Sequence, residues 1–153
     1  MLARIQTVTT DLSATYKLGE AIAKSLRGDE VFALVAPLGG GKTSFTQGLA
    51  KGLNAKGRVL SPTFVLERIY DVPKKEYALH HFDMYRIGAN EVESTGLLDI
   101  LGEGIVVIEW AEKIKKYLPQ DTIWVEIKYK GEDSREFIFN FPESRSYVFT
   151  HLK

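Results

Sequence analysis

The chain has no cysteine. That excludes disulfides, thiolate nucleophiles and cysteine-ligated zinc, and it agrees with a reducing compartment. It has no excess of either charge: 20 Lys and Arg balance 20 Asp and Glu. A surface that wraps nucleic acid needs a strong basic bias, and the overall composition supplies none, although a local basic patch stays open. No apolar run approaches the ~20 residues needed to cross a bilayer. The opening Met1-Leu2-Ala3-Arg4 lacks the long apolar core of a secretion signal. Internal repeats, low-complexity tracts and long linkers are also missing. These absences lead us to expect a cytoplasmic protein without membrane association. Its 153 residues are enough for one compact domain over residues 1–153 with a real core.

The apolar residues that are present fall into alternating helix and strand patterns. Residues 12–27 carry Leu18, Ile22, Ser25 and Leu26 on one helical face, with Thr10 or Asp11 available as the cap. Residues 31–35 form an unbroken apolar run, the signature of a strand buried on both faces. A second helix follows residue 42, with Phe45, Leu49, Ala50 and Leu53 toward the core and Gly52 near its end. Residues 59–70 and 77–85 read as strands of a hairpin, residues 91–101 as a short helix, and residues 105–108 as another buried strand that ends in Glu109-Trp110. Residues 122–129 and 136–141 alternate around Gly131 as a terminal hairpin. The expected fold is a single α/β domain with a mixed parallel and antiparallel sheet flanked by helices.

The strongest chemical signal lies between the first buried strand and the second helix, in Ala36-Pro37-Leu38-Gly39-Gly40-Gly41-Lys42-Thr43. Three consecutive glycines let a backbone wrap closely around phosphate oxygens with several N–H groups pointing inward. The helix that starts near Lys42 adds its positive end to the same place. In this pattern the lysine reaches the β- and γ-phosphates and the following hydroxyl ligates magnesium. Leu38, Gly39, Gly40, Gly41, Lys42, Thr43 and Ser44 are therefore expected to hold ATP as its Mg2+ complex, and the α/β domain is expected to be a phosphate-binding-loop NTPase fold. Ala36 replaces the first glycine of the stricter pattern.

Such a loop works with an acid at the end of a neighbouring strand, which holds the metal or its water shell. Glu109 and Asp83 are the candidates. Ser61-Pro62-Thr63 is either a plain turn or a switch loop that offers the Thr63 hydroxyl to the γ-phosphate or the metal's water shell. His80 and His81 are adjacent, so on a strand they point to opposite faces, and structural hydrogen bonding suits both better than shared metal ligation. Arg86 is either an internal charge for the γ-phosphate or the partner of a nearby acid. Trp110 reads as core or interface, His151 as solvated, and the Lys113, Lys115, Lys116 run as a solvated helix face.

Four motifs now stand in order: Leu38-Gly39-Gly40-Gly41-Lys42-Thr43 with Phe45, Ser61-Pro62-Thr63-Phe64, His81-Phe82-Asp83-Met84-Tyr85-Arg86, and Ile108-Glu109-Trp110. In order and spacing they resemble the bacterial TsaE (YjeE) family, and Ala14-Thr15 with Leu18-Gly19 resembles that family's first helix. The resemblance implies a small ATPase needed to make threonylcarbamoyladenosine in tRNA. Such an ATPase acts with a TsaD-like protein, which transfers the threonylcarbamoyl group, and a TsaB-like protein that pairs with it. Its ATP hydrolysis resets that complex between turnovers, and tRNA is engaged mainly through the partners. The resemblance further implies Thr43 and Glu109 as Mg2+ ligands, Lys42 on the phosphates, Thr63 as the switch threonine and Asp83 as an acid needed for hydrolysis. The family's adenine contacts fall near Asp11 and Ser134-Arg135. Here Ala36-Pro37 stands where the family usually has Gly-Asp.

The expected reaction is in-line attack of water on the γ-phosphate, driven by positioning and charge neutralisation. Beyond Arg86 the sequence offers no arginine-finger element, whose lack costs ~10³ to 10⁵ in rate, so slow hydrolysis alone and faster hydrolysis in the complex are expected. Two rivals belong to other classes. A small-molecule kinase would need an arginine-rich lid and an acceptor pocket, neither of which the sequence suggests. A switch module with little catalysis is the other; an Asn-Lys-x-Asp guanine signature is absent from the chain.

Overall fold

The computed structural model describes residues 2–37, 42–56 and 67–152. Among these, seven strands form one sheet in the order β1-β7-β6-β2-β5-β4-β3. The strands are β1 (Leu2–Thr9), β2 (Val31–Val35), β3 (Glu67–Asp71), β4 (Ala78–Asp83), β5 (Ile105–Glu109), β6 (Ile123–Tyr129) and β7 (Arg135–Pro142). Strands β6, β2, β5 and β4 run parallel in the middle. Antiparallel pairs close both sides, β7 and β1 at one and β3 at the other. The expected α/β architecture with a mixed sheet is the observed one, and β2, the strand before the glycine loop, is central.

The apolar runs of the sequence are buried on both faces because they alternate between two cores. From β2 and β5, Phe32, Leu34, Ile105 and Val107 pack with Leu18, Ile22, Phe45 and Leu49 of the helices α1 (Leu12–Ala23) and α2 (Lys42–Gly52). Their neighbours Val31, Ala33, Val106 and Ile108 pack on the other face with Phe82, Met84, Val92, Leu97 and Ile114. Period-two alternation thus persists inside runs that read as uniformly apolar.

Helix α1 starts where expected: Asp11 is its N-cap, and the carboxylate accepts the Ala14 N–H at 2.7 Å. It ends at Ala23, short of residue 27. Helix α2 lies backbone to backbone against it. A Cβ on Gly48 would sit 2.4 Å from the Tyr16 carbonyl oxygen, and one on Gly19 would sit 2.6 Å from that of Phe45. Only glycine permits this approach, which fixes the helix that carries Lys42.

Two further readings change. The helix expected over residues 91–101 is split into a 3-10 helix, Ala89–Thr95, and a short α3, Leu97–Ile100. The break is Gly96, whose φ of 82° lies in the left-handed region that ends helices. Strand β1 had no place in the sequence reading. It is an edge strand with an alternating half-buried pattern, and only Ala3 and Ile5 reach the core, so its apolar signal is weak. The first strand of the expected hairpin is described only from Glu67; its earlier residues lie outside the described ones. The Lys113, Lys115, Lys116 face is exposed on a 3-10 helix, Ala111–Tyr117, as expected of a solvated face.

At the N-terminal ends of the parallel strands, a polar network ties the final 3-10 helix, Glu143–Phe149, to the start of β2. The buried Arg145 donates to Asp29 and Asp121, both at 2.9 Å. The Tyr147 hydroxyl donates to Glu30 at 2.5 Å, and Glu30, fully buried, also accepts the N–H groups of Arg27 and Gly28. Burial, then Glu30, pushes the Tyr147 phenol up to about 12 from 10.0. A folded value above the unfolded one means that the phenol's contribution is intact below pH 10 and is lost as pH rises toward 12. Tyr147→Phe removes one of the partners of a buried carboxylate and is expected to cost about 1–3 kcal/mol at neutral pH. Urea unfolding from pH 7 to pH 12 checks this. The variant should lose less stability than the wild type as pH rises from 10 toward 12, since the raised Tyr77 phenol still contributes its own loss, and identical pH profiles would refute the assignment.

Candidate active site

Parallel strands put their C-terminal ends along one edge, where α/β proteins bind ligands. Strands β2, β5 and β4 meet there. Val35 ends β2, and α2 rises from Lys42. Lys42 is buried, with 6% of its surface exposed. Its Nζ makes one long hydrogen bond among the described residues, 3.4 Å to the Ala36 carbonyl, and lies 4.3 Å from the centroid of the Trp110 ring. Burial lowers the pKa of this ammonium, against the opposing pull of Glu109, Asp83 and Glu112.

Strand parity supplies the facing acids. On β4 and β5 the odd-numbered residues Leu79, Ile105 and Val107 pack with α1 and α2. His81, Asp83 and Glu109 continue the same parity toward the strand ends. Asp83 and Glu109 are register partners on adjacent parallel strands, and both are buried. Each is held: Asp83 Oδ1 accepts the Tyr85 N–H at 2.8 Å, and Glu109 Oε2 lies 2.6 Å from His81 Nε2. The Met84 N–H donates to the Glu109 carbonyl at 3.0 Å, which continues the ladder past the strand end.

Trp110 follows Glu109 in the left-handed region, φ 60° and ψ 37°. That conformation is uncommon for a bulky residue and costs on the order of 1–3 kcal/mol. It turns the chain so that the indole lies beneath the Lys42 ammonium and against the Tyr85 ring, 4.9 Å between centroids. Lys113 Nζ donates to the Tyr85 carbonyl and braces that turn.

The structure therefore brings together Lys42, Asp83 and Glu109, with Thr43 and Ser44 half-buried in the first turn of α2. Leu38, Gly39, Gly40, Gly41 and Thr63 lie outside the described residues. Asp11 and Ser134-Arg135 come to the same end of the sheet, since Thr9 and Tyr129 are both register partners of Arg135, but they stand beside β1, β7 and β6. Arg135 spans its own turn there. Its Nη1 donates to the carbonyls of Gly131, Glu132 and Ser134, and the guanidinium lies 4.3 Å from the centroid of Tyr129. Two residues at the site, His81 and Trp110, have no catalytic or binding role in the sequence reading. The signals were present: His81 shares the parity of Asp83, and Trp110 follows the strand-end acid. Among the described residues no three His, Cys, Asp or Glu side chains form a metal cluster, and no helix is long and apolar enough to cross a membrane.

An ammonium at a helix N-terminus can take an anion, and the two carboxylates beside it can take a cation. Comparison with known proteins gives the family of the chain. A family model described as Threonylcarbamoyl adenosine biosynthesis protein TsaE matches residues 9–137. The chain is 40% identical over 130 residues to the tRNA threonylcarbamoyladenosine biosynthesis protein TsaE of Bacillus subtilis (strain 168), across 84% of this chain and 78% of that relative. It is 41% identical over 124 residues to the protein of the same name from Aquifex aeolicus (strain VF5), across 80% and 85%. A crystal structure of Bacillus subtilis YdiB has the same fold, with a TM-score of 0.75 at 29% identity, covering 95% of this chain and 90% of that one.

Proposed function

Because the chain belongs to the TsaE family of tRNA threonylcarbamoyladenosine biosynthesis, we propose that it is a Mg2+-dependent ATPase of that pathway and acts on TsaB-like and TsaD-like partners. The observation that carries this reading is Lys42: a buried ammonium at the start of α2 with one long hydrogen bond among the described residues and two buried carboxylates on the adjoining strand ends. A buried charge without a close partner is costly. Oxygens of the β- and γ-phosphates would provide that partner where the helix end also favours negative charge.

The donor set fits magnesium. Thr43 offers a hydroxyl and Glu109 a carboxylate, both hard oxygen ligands, with Asp83 beside them. A site with few protein oxygens suits a cation that keeps its waters and is shared with substrate phosphates. When bound, Mg2+ neutralises phosphate charge as it develops. Lys42 holds the β- and γ-phosphates. Glu109 or Asp83 accepts a hydrogen bond from the attacking water and orients it in line with the γ-phosphate. Trp110 shields the Lys42 ammonium from solvent and so strengthens its pull on the phosphates. Adenine is expected toward Asp11 and Arg135, at the same sheet end, and Thr63 is expected to sense the γ-phosphate.

The test is ATP hydrolysis by the protein alone and with a TsaB–TsaD pair. The expected result is slow turnover alone and faster turnover with the pair. Equal rates would remove the partner claim and keep the ATPase; no hydrolysis in either case would remove the ATPase as well.

A further inference from the structure

We infer that His81 is a positioning residue that fixes the Glu109 carboxylate for the metal, a role that rests on the Mg2+·ATP reading above. His81 is fully buried, and its Nε2 lies 2.6 Å from Glu109 Oε2. Its Nδ1 is buried and has no hydrogen-bond partner among the described residues. The tautomer with its proton on Nε2 therefore serves Glu109 and leaves only a lone pair on Nδ1. Among the described residues the ring's hydrogen bonding belongs to Glu109 alone.

The geometry goes beyond a stitch between strands. Strands β4 and β5 are already joined by a parallel ladder that runs through Leu79↔Ile105 to Asp83↔Glu109. His81 is the register partner of Val107, so its bond to Glu109 reaches diagonally along one face toward the site. It occupies Oε2, while Oε1 accepts no hydrogen bond among the described residues. A glutamate with one oxygen tied down presents the other in a fixed direction. A free glutamate would lose rotamer freedom on binding, and a ligating carboxylate is commonly oriented by such an outer partner. His80, one residue earlier, points to the other face and bonds Glu67 instead, Nδ1 to Oε2 at 2.9 Å. The two adjacent histidines therefore have separate work.

Two variants separate positioning from packing. His81→Leu fills the space without a donor. His81→Gln places an amide N–H near the position of Nε2. The probe is Mn2+ affinity measured by electron paramagnetic resonance with a non-hydrolysable ATP analogue, together with affinity for the analogue without metal. His81→Leu should weaken Mn2+ about 10- to 100-fold, the usual effect of losing a ligand's outer partner. It should leave metal-free nucleotide affinity unchanged, and His81→Gln should recover most of the loss. Equal Mn2+ affinity in all three proteins would overturn the inference, and so would equal weakening in both variants, which marks a packing defect. If the wild type itself bound no Mn2+·nucleotide, the ATPase reading would fall and take this role with it. Nitrogen chemical shifts of His81 in the ligand-free wild type and in Glu109→Ala read the hydrogen bond separately. Identical shifts would refute the bond itself.

Discussion

Lys42→Ala should reduce kcat/KM for ATP hydrolysis about 10²- to 10³-fold, the typical cost of deleting one preorganised charge-stabilising group. Its effect on the fold should be small and of the opposite sign. The ammonium is buried, and burial lowers its pKa below the 10.5 of the unfolded chain. A lysine whose folded value is depressed destabilises the folded state at neutral pH, and the penalty is relieved as pH rises toward 10.5. Lys42→Met, which keeps an unbranched apolar side chain but removes the ammonium, should therefore be inactive yet at least as stable as the wild type in the absence of nucleotide. Thermal unfolding and steady-state hydrolysis on the same samples check both halves. An active Lys42→Met protein would remove Lys42 from the chemistry. An inactive, unfolded one would make its role structural.

That trade between stability and binding could be anticipated from the sequence only in part. The Gly-Gly-Gly-Lys-Thr run points to Lys42, and the apolar run before Glu109 points to an acid, because both sit where a strand ends and periodicity breaks. Sheet order was not legible. That Asp83 and Glu109 are direct neighbours follows from β4 pairing with β5, a contact between segments far apart in the chain. For His81 the sequence suggests structural hydrogen bonding, because adjacent histidines on a strand diverge. They do diverge, and parity then sends one of them into the site. Trp110 reads as core or interface, and it does pack against the core beneath β5; nothing local announces its left-handed backbone, which sets the indole against Tyr85 and the Lys42 ammonium. The edge strand β1 is illegible in the sequence for a different reason. Its outward residues Leu2, Arg4, Gln6 and Val8 are mixed in character, and a strand paired on one side and half-exposed needs few apolar residues.

Glu109→Gln should be as damaging to turnover as the loss of Lys42, about 10²- to 10³-fold in kcat, for a different reason that the measurement can separate. The amide carbonyl introduced by this substitution can still accept from His81 Nε2, so the bond that anchors the side chain survives and the buried position is filled by a side chain of nearly equal shape. What disappears is the negative charge beside Asp83. Two effects follow. On the proposed Mg2+·ATP reading the metal would lose its anionic protein ligand, so higher Mg2+ should be needed for half-maximal rate. The opposing pull that Glu109 exerts on the Lys42 ammonium also disappears, so the remaining charge balance shifts toward the phosphates and nucleotide binding without metal should not weaken. A Mg2+ titration of hydrolysis, paired with metal-free nucleotide affinity, distinguishes this outcome from a collapsed site, in which both would fail. Wild-type turnover and an unchanged Mg2+ requirement in Glu109→Gln would instead move the metal ligand and the water-orienting role to Asp83. The Asp83 carboxylate stands next to Glu109 in register and is already anchored by the Tyr85 N–H.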